Sequence, residues 1–364
     1  MSGPLIIGAG PAGSAAAIAL AGGGLKPVLI DRYRVAPDSL CGGFISWRTA
    51  ETLRRHAGCD LAQLKAHKVT QLVLYSGKRH ASSYLPAPGF GLTRRALDGA
   101  LRERAISSGA RFETDRVREV SRETVHCDGG ERRAQTLFLA NGKHDIRGIV
   151  RSRNDDDPAL GLRFRIPGNT ALTHLVSGKI ELHLFRDGYA GVICQEDGAV
   201  NICMAVRKSR FKAASGDRYR LIAELARDNP HFADRVEHVA SDTRIDTIGA
   251  IPYGWIARST QPGMFRIGDQ AAVIPSLAGE GMSIAVASGF EAAKAFLKEG
   301  DYAAPTHQSA FARRSRKAIG LATFLWKAAE HKSGSAALVR TTRLFPPLAR
   351  WTMQQSRLSV TPST

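Results

Sequence analysis

The sequence contains no run of 18 or more apolar residues, so no membrane-spanning helix is expected. Its N-terminus lacks the pattern of a signal peptide, because glycines interrupt the apolar stretch that begins at Pro4. Cysteine is scarce, and no two of the five, at positions 41, 59, 127, 194 and 203, have the C-x-x-C spacing of a zinc or redox site. We therefore expect reduced thiols in a cytoplasmic protein, and no metal site.

Acidic residues are also few: 33 stand against 51 lysines and arginines, which gives a formal net charge of +18. Such a surface attracts nucleic acid, anionic lipid headgroups, or acidic substrates and carrier proteins. No nucleic-acid-binding motif accompanies the charge, so no nucleic-acid partner is expected. Three explanations are left: an acidic carrier protein, an anionic membrane surface, or a general bias toward basic residues.

The N-terminus has the pattern of a β-α-β unit, with two short apolar runs on either side of a small-residue helix. The first run ends in Gly8-Ala9-Gly10-Pro11-Ala12-Gly13. In this G-x-G-x-x-G pattern Gly8 permits a tight turn, Gly10 lets the backbone approach a pyrophosphate, and Gly13 lets helix and strand pack closely. Asp31, at the end of the second run, lies at the distance expected for an acid that binds ribose hydroxyls. The unit predicts a bound dinucleotide, either NAD or FAD.

The middle of the chain has a different periodicity. Alternating apolar and polar residues over 160–206 predict antiparallel strands at Ile180–Phe185, Tyr189–Cys194 and Ala199–Val206. The surrounding segments predict helices at Ser46–Ala57, Thr93–Ser108 and Gly281–Leu297, and a strand at Arg111–Val120. The last segment is predicted to be helical from 304 to 357, with interruptions at Gly334 and Pro346-Pro347.

These patterns indicate an α/β plus α+β protein, in which a Rossmann-type domain carries an inserted antiparallel-sheet substrate domain and a helical C-terminus. We expect the dinucleotide-binding domain to be discontinuous, over residues 1–68, 93–158 and 260–300. The substrate domain is expected at 69–92 and 159–259, and the C-terminal helical region at 301–364.

Two further glycine motifs follow predicted strands. One strand ends in Ala140-Asn141-Gly142, and another is followed by Gly268-Asp269. Asp269 is placed to bind the ribityl or pyrophosphate region of a flavin nucleotide. Gly279-Glu280-Gly281-Met282 then predicts the start of a helix, whose positive end suits the N1–C2=O edge of a flavin ring.

Together with Arg94-x-x-Leu97-Asp98-x-x-Leu101, these motifs resemble the p-hydroxybenzoate hydroxylase-like flavoprotein superfamily, which includes aromatic-ring hydroxylases and geranylgeranyl reductases. The resemblance covers most of residues 1–300. Cys41-Gly42-Gly43 and Gly279–Met282 are most similar to the geranylgeranyl reductase-like branch. The resemblance implies a Rossmann-type FAD-binding domain with non-covalently bound FAD. The implied FAD contacts are Gly8, Gly10, Pro11, Ala12, Gly13, Asp31, Arg32, Arg94, Ala140, Gly142, Gly268, Asp269, Gly281 and Met282.

The chain departs from the aromatic hydroxylases after the Ala140-Asn141-Gly142 strand end. Those enzymes carry an Asp-Gly pair there that handles both FAD and NADPH, whereas this chain has Lys143-His144-Asp145. The usual mode of NADPH use is therefore not implied, and NAD(P)H is only one candidate electron donor.

The resemblance implies two kinds of chemistry. A monooxygenase would hydroxylate a hydrophobic metabolite through a flavin C4a-hydroperoxide, and this commoner chemistry is our first expectation. A reductase would instead saturate an alkene of an isoprenoid or polyketide-like substrate, and a non-catalytic flavin-binding scaffold in a biosynthetic complex is the alternative of another class. Candidate proton-transfer residues are Cys41, His144 oriented by Asp145, and Glu280. Each also suits a structural role, as a pocket or surface side chain.

The C-terminal region mixes apolar and basic residues at helical spacing, such as Leu344, Phe345, Leu348 and Trp351 beside Arg340, Arg343 and Arg350. This pattern is typical of a membrane-surface helix or of a helix that caps the substrate domain, and we favour the cap. A membrane-surface helix would make the protein peripheral at the inner face of the membrane and its substrate lipid-like. No oligomeric state is predicted.

Overall fold

The computed structural model describes residues 3–121, 124–152 and 155–357. The strands are β1 (Leu5–Ile7), β2 (Val28–Asp31), β3 (Phe44–Ile45), β4 (His67–Ser76), β5 (Arg79–Gly91), β6 (Arg111–Thr114), β7 (Val117–Ser121), β8 (Thr124–Cys127), β9 (Gly130–Arg133), β10 (Leu137–Leu139), β11 (Ala159–Ile166), β12 (Lys179–Phe185), β13 (Gly188–Cys194), β14 (Val200–Arg207), β15 (Asp246–Ile251) and β16 (Met264–Arg266). The α-helices are α1 (Pro11–Gly22), α2 (Trp47–Thr52), α3 (Arg94–Ser107), α4 (Thr170–Val176), α5 (Lys208–Ala213), α6 (Arg218–Asp228), α7 (Pro230–Val236), α8 (Gly281–Glu299), α9 (Ala303–Ala329), α10 (Lys332–Leu344) and α11 (Pro346–Gln355).

A five-stranded parallel sheet in the order β16-β10-β1-β2-β6 forms the Rossmann-type core. Helix α1 connects β1 to β2, and Ala12, Ala15, Ala16 and Ala17 on it are buried. Helix α8 packs closely against α1 because position 289 is glycine: a Cβ there would lie 2.3 Å from the carbonyl oxygen of Ala12. Small residues on both helices therefore let the first turns of α1 pack against the middle of α8.

An eight-stranded sheet in the order β15-β11-β14-β13-β12-β4-β5-β3 forms the second layer. Its neighbours are antiparallel except β4 and β12. The three strands predicted over 180–206 lie in this sheet, which confirms the antiparallel sheet. One face packs on the helices α4–α7, which periodicity did not predict, through a core that includes Phe164, Val192 and Phe232.

The C-terminal helices cover the other face of the eight-stranded sheet. Helix α10 contacts β4 through Ser76 and Ser335, whose Oγ atoms are 2.9 Å apart. The predicted interruption at Gly334 is wrong, because Gly334 lies inside α10; a Cβ there would lie 2.1 Å from the oxygen of Ala328, so glycine lets α10 fold back over the end of α9. The break falls instead at Glu330, which Arg207 binds (Nη2–Oε2, 2.9 Å).

Two other predicted elements are also divided. The strand predicted over Arg111–Val120 is two strands: β6 joins the parallel sheet, and β7 joins a three-stranded antiparallel sheet with β8 and β9. Asp115 separates them because its carboxylate accepts the N–H groups of Arg116 (2.7 Å) and Gly129 (3.2 Å), which favours a turn. The helix predicted over Ser46–Ala57 is α2 followed by a π-helical turn at Leu53–Ala57. No helix in the described ranges is long and apolar enough to cross a membrane.

Candidate flavin and substrate site

The turn after β1 has the geometry that its glycines predict. Gly8 has a φ of +106°, and a Cβ there would lie 2.4 Å from the oxygen of Ala140. A Cβ at Gly13 would lie 1.9 Å from the oxygen of Gly8, so only glycine permits the first turn of α1 to touch the strand end. At Gly10 the nearest atom would be Arg94 Nη2, at 3.5 Å. The backbone at Gly10 is thus accessible to a ligand.

Asp31 closes this turn at the end of β2. Its carboxylate accepts the backbone N–H groups of Ala9 (2.8 Å) and Tyr33 (2.9 Å). Arg102 lies 3.8 Å from the same carboxylate and donates to the carbonyl of Tyr33 at 2.8 Å. Sequence reasoning missed Arg102, although its place eight residues after Arg94 and four after Asp98, on the same helix face, was a usable signal.

A second helix N-terminus lies at the start of α8. Two glycines position the segment that leads into this helix. The N–H of Gly268 donates to Ser288 Oγ at 2.8 Å, and a Cβ at Gly279 would lie 2.9 Å from the ring of Phe44. A Cβ added at Gly281, the first residue of α8, would have no neighbour within 4 Å. The same holds at Gly42 and Gly142, so backbone from three separate loops faces open space. This backbone-lined space, with two positive helix ends, fits an FAD nucleotide.

These loops enclose a cavity of about 1130 Å³. Thirteen of the fourteen predicted FAD contacts line it, and the exception is Gly13, which lies behind the turn. The cavity continues past the flavin loops along the eight-stranded sheet to the C-terminal helices. Its far wall is apolar and includes Leu72, Leu74, Leu85, Ile180, Leu182, Leu184, Leu321, Leu325, Leu338 and Met353.

Arg94 connects the glycine turn to the Cys41 loop. Its guanidinium forms two bonds with the buried carboxylate of Asp98 (Nε–Oδ1 2.8 Å and Nη2–Oδ2 2.7 Å) and interacts electrostatically with the Cys41 thiol. Burial alone would lower the pKa of Arg94, but Asp98 and Cys41 raise it above its ordinary value. Burial raises the pKa of Asp98 in spite of this pairing. Arg94 is therefore a permanent cation at the cavity wall.

A buried polar network holds the Cys41 loop in place. Asn201 Nδ2 donates to the carbonyls of Cys41 (3.1 Å) and Gly42 (3.0 Å), while its Oδ1 accepts from Arg163 Nε at 2.7 Å. Arg163 also binds the carboxylate of Asp38, which in turn accepts the backbone N–H of Arg94. Asn201 and Arg163 come from β14 and β11, far away in sequence, and sequence reasoning did not find this role.

His144 lies at the Asp31 end of the cavity. Its Nε2 is 3.1 Å from Nη2 of Arg32. Partial burial and the positive charges of Arg32 and Lys143 lower the pKa of His144, so the ring is neutral at pH 7. The fully buried Arg151 binds Asp145 (Nε–Oδ1, 2.7 Å) and fixes this loop. His144 thus lies at the same end of the cavity as Asp31, the predicted ribose-binding acid. Gly281, which is predicted to face the flavin ring, lies on another loop of the cavity.

Glu280 does not line the cavity, although Gly279 and Gly281 on either side do. Its carboxylate is buried and lies 3.1 Å from Nη1 of Arg357, which stacks over the ring of Trp47 at 3.7 Å. Burial raises the pKa of Glu280 to about 7. The acid therefore joins the start of α8 to the end of the described C-terminal segment.

Two tyrosines and a serine form a hydrogen-bonded polar group on the wall of the cavity. The hydroxyls of Tyr189 and Tyr253 each lie 2.5 Å from Ser276 Oγ. Burial raises the pKa of Tyr189 well above its ordinary value, so its hydroxyl is protonated. Sequence reasoning missed this group, because the three residues lie on different elements.

The comparisons with known proteins agree with this geometry. Residues 3–148 match the FAD binding domain family. The protein is an FAD-dependent oxidoreductase, and it is similar to the p-hydroxybenzoate hydroxylase-like superfamily. The cofactor prediction is thereby confirmed, and so is the fold class. The individual roles of the cavity residues stay predictions.

Two curated relatives of this flavoprotein are reductases. Digeranylgeranylglycerophospholipid reductase 2 of Methanopyrus kandleri is 25% identical over 305 residues, which cover 78% of this chain and 74% of the relative. Menaquinone reductase of Mycobacterium tuberculosis is 26% identical over 328 residues, covering 80% and 75%.

Solved structures share the fold. A geranylgeranyl bacteriochlorophyll reductase-like protein from Thermoplasma acidophilum superposes with a TM-score of 0.72 at 18% identity, covering 99% of this chain and 93% of the other. The halogenase PltM, bound to ethyl mercury and mercury, gives a TM-score of 0.76 at 12% identity, covering 98% and 84%. Because one fold serves both a reductase-like protein and a halogenase, the fold alone does not decide the reaction.

Proposed function

We propose that this flavoprotein is a reductase that saturates carbon–carbon double bonds in a long, apolar, isoprenoid-type chain. The observation that carries the proposal is the single cavity that runs from the glycine turn to an apolar wall beneath the C-terminal helices. Its volume of about 1130 Å³ exceeds the roughly 300–1000 Å³ of an ordinary small-molecule site. That size suits a nucleotide cofactor and an extended substrate together.

The curated relatives support the reductive reading. Both are named as reductases, and the name of one contains the digeranylgeranyl group. The sequence favoured oxygenation because it is the commoner chemistry of the superfamily, but no contact among the described cavity residues favours it over reduction. Oxygenation is therefore the outcome against which the proposal is tested.

Saturation of one double bond adds a hydride and a proton to the substrate. Bound FAD, once reduced by an external electron donor, supplies the hydride. The protein must orient the substrate, exclude water and supply the proton. The apolar wall excludes water and holds the apolar chain of the substrate, while Cys41 is the candidate proton donor because it lines the cavity near the cationic Arg94.

The test is an anaerobic reaction. The dithionite-reduced holoprotein, mixed with a detergent-solubilised geranylgeranyl lipid, should reoxidise its flavin while the lipid gains two hydrogens per bond, seen by mass spectrometry. No product without oxygen, and one labelled oxygen atom in the lipid under ¹⁸O₂, would instead establish a monooxygenase. No product under either condition, with a reducible flavin, would favour the scaffold.

The role of Cys41 has a matched control. Cys41→Ala should slow the reaction by about 10²-fold or more, the usual contribution of a positioned acid, with unchanged flavin content. Cys59→Ala alters a buried cysteine outside the cavity and should leave the rate unchanged. Equal rates for both variants would remove Cys41 from the mechanism.

A further inference from the structure

An exposed apolar surface lies where α10 meets α11. Leu344, Phe345, Leu348 and Trp351, here called the C-terminal corner, are all exposed, with Phe345 at 60% and Trp351 at 54% of their full accessible surface. The proline pair 346–347 stands between the helices, so four large apolar side chains gather within eight residues. Clusters of this kind on a protein surface commonly mark an interaction site.

The charge around the corner has one sign. Residues 302–364 contain ten lysines and arginines but a single acid, Glu330, and so hold +9 of the total +18. Arg207 already binds Glu330. Arg340, Arg343 and Arg350 are exposed, and within the described part of the chain none of them forms an ion pair. The corner is therefore an apolar centre among cations without counter-charges.

Part of the cavity wall reaches the protein surface at this corner. Leu348 lines the cavity and is also exposed to solvent. Phe324 of α9 does the same, with 69% of its surface accessible. Meanwhile the buried face of α10, with Ser335, Val339 and Thr342, packs toward the sheet. The C-terminal helices thus cover the cavity with one face and present the other to the surroundings.

We propose that the C-terminal corner docks on an anionic phospholipid bilayer, so that the mouth of the cavity faces the lipid. The four apolar side chains enter the headgroup region, where tryptophan is favoured, and the arginines contact lipid phosphates. A substrate chain would then pass from the bilayer into the cavity without crossing water.

The experiment measures co-sedimentation of the full-length holoprotein with vesicles. Binding to phosphatidylcholine vesicles containing about 30% phosphatidylglycerol should exceed binding to pure phosphatidylcholine and should fall with added salt. The double variant Phe345→Ser/Trp351→Ser should bind at least about tenfold less tightly, since each ring loses its apolar burial. Arg340→Gln and Arg343→Gln should each weaken binding about fivefold.

Matched controls alter exposed residues elsewhere: Tyr302→Ser for the aromatics and Arg186→Gln for the arginines, both of which should bind like the wild type. Flavin absorbance and thermal melting check that each variant is folded. As a second readout, brominated lipids should quench part of the tryptophan fluorescence of the wild type. This quenching should be absent in Trp351→Phe.

Because binding needs no turnover, its result is independent of the reaction proposed above. Absence of vesicle binding, or equal binding by corner and control variants, overturns the docking surface. So does a wild type that dimerises through the corner, seen as a dimer in light scattering that Phe345→Ser/Trp351→Ser converts to a monomer.

Discussion

The two ends of the cavity offer different kinds of contact to a ligand. At the glycine end, backbone groups and buried ion pairs such as Arg94–Asp98 provide directional contacts. At the C-terminal end, apolar side chains from the sheet and from α9–α11 provide area without direction. The first end suits one invariant cofactor, whereas the second suits the apolar chain of the proposed substrate. This contrast is open to test at each end and at their junction.

The largest effect is expected at the glycine end from Arg94→Ala. It leaves the carboxylate of Asp98 buried without its bidentate partner, which should destabilise the fold by about 3–5 kcal/mol and deplete the flavin. Urea unfolding measures the loss of stability, and flavin absorbance measures the loss of bound cofactor. Arg95→Ala, the exposed neighbour, should change stability by less than about 0.5 kcal/mol. Similar losses in the two variants would show that the ion pair does not anchor this end.

Gly13→Ala tests the backbone contact at the same end. Its Cβ would lie 1.9 Å from the oxygen of Gly8, so the helix must shift, at a cost of about 1–3 kcal/mol, and FAD affinity should fall with it. Gly22→Ala, in the last turn of the same helix, meets no atom within 4 Å and should keep its flavin. A flavin-replete Gly13→Ala protein would contradict the assigned close packing.

At the junction of the two ends, Glu280→Gln should change the pH dependence of stability. Burial raises the pKa of Glu280 to about 7, above the 4.5 expected in the unfolded chain. Its contribution is therefore fully present below pH about 4.5 and is lost as the pH rises through 7, because the folded state holds the proton longer. Relative to Glu280→Gln, the wild type should lose up to about 3 kcal/mol between pH 5 and pH 8.

Urea titrations at both pH values measure this loss. Glu299→Gln alters an exposed glutamate at the far end of the same helix and should follow the wild type. Parallel profiles for wild type and Glu280→Gln would mean that the charge of Arg357 offsets the effect of burial on the pKa of Glu280.

The smallest effect is expected at the apolar end. Leu325→Trp narrows the cavity there, so KM for a long isoprenoid substrate should rise about tenfold while a short-chain analogue and the flavin content are unaffected. Leu175→Trp, outside the cavity, is the control. An equal rise in KM for short and long substrates would place the chain of the substrate elsewhere.

Sequence reasoning was most reliable where a residue's role depends on its immediate neighbours. The turn from Gly8 to Gly13 and the strands on either side of it follow from local sterics and hydrophobic runs. It was wrong at Gly334 and over Arg111–Val120, because a contact with Ala328 and the side-chain turn at Asp115 override local preference. It did not find Asn201 or Ser276, whose partners are far away in the chain.

By itself, the sequence determined the cofactor and the architecture, because FAD is held by short motifs whose spacing reports their geometry directly. Only the tertiary structure decided that Glu280 faces Arg357 rather than the cavity, that His144 lies at the Asp31 end, and that α9–α11 cover the sheet while exposing the corner. The physical reason is that side-chain direction and long-range packing depend on distant elements that meet only after folding.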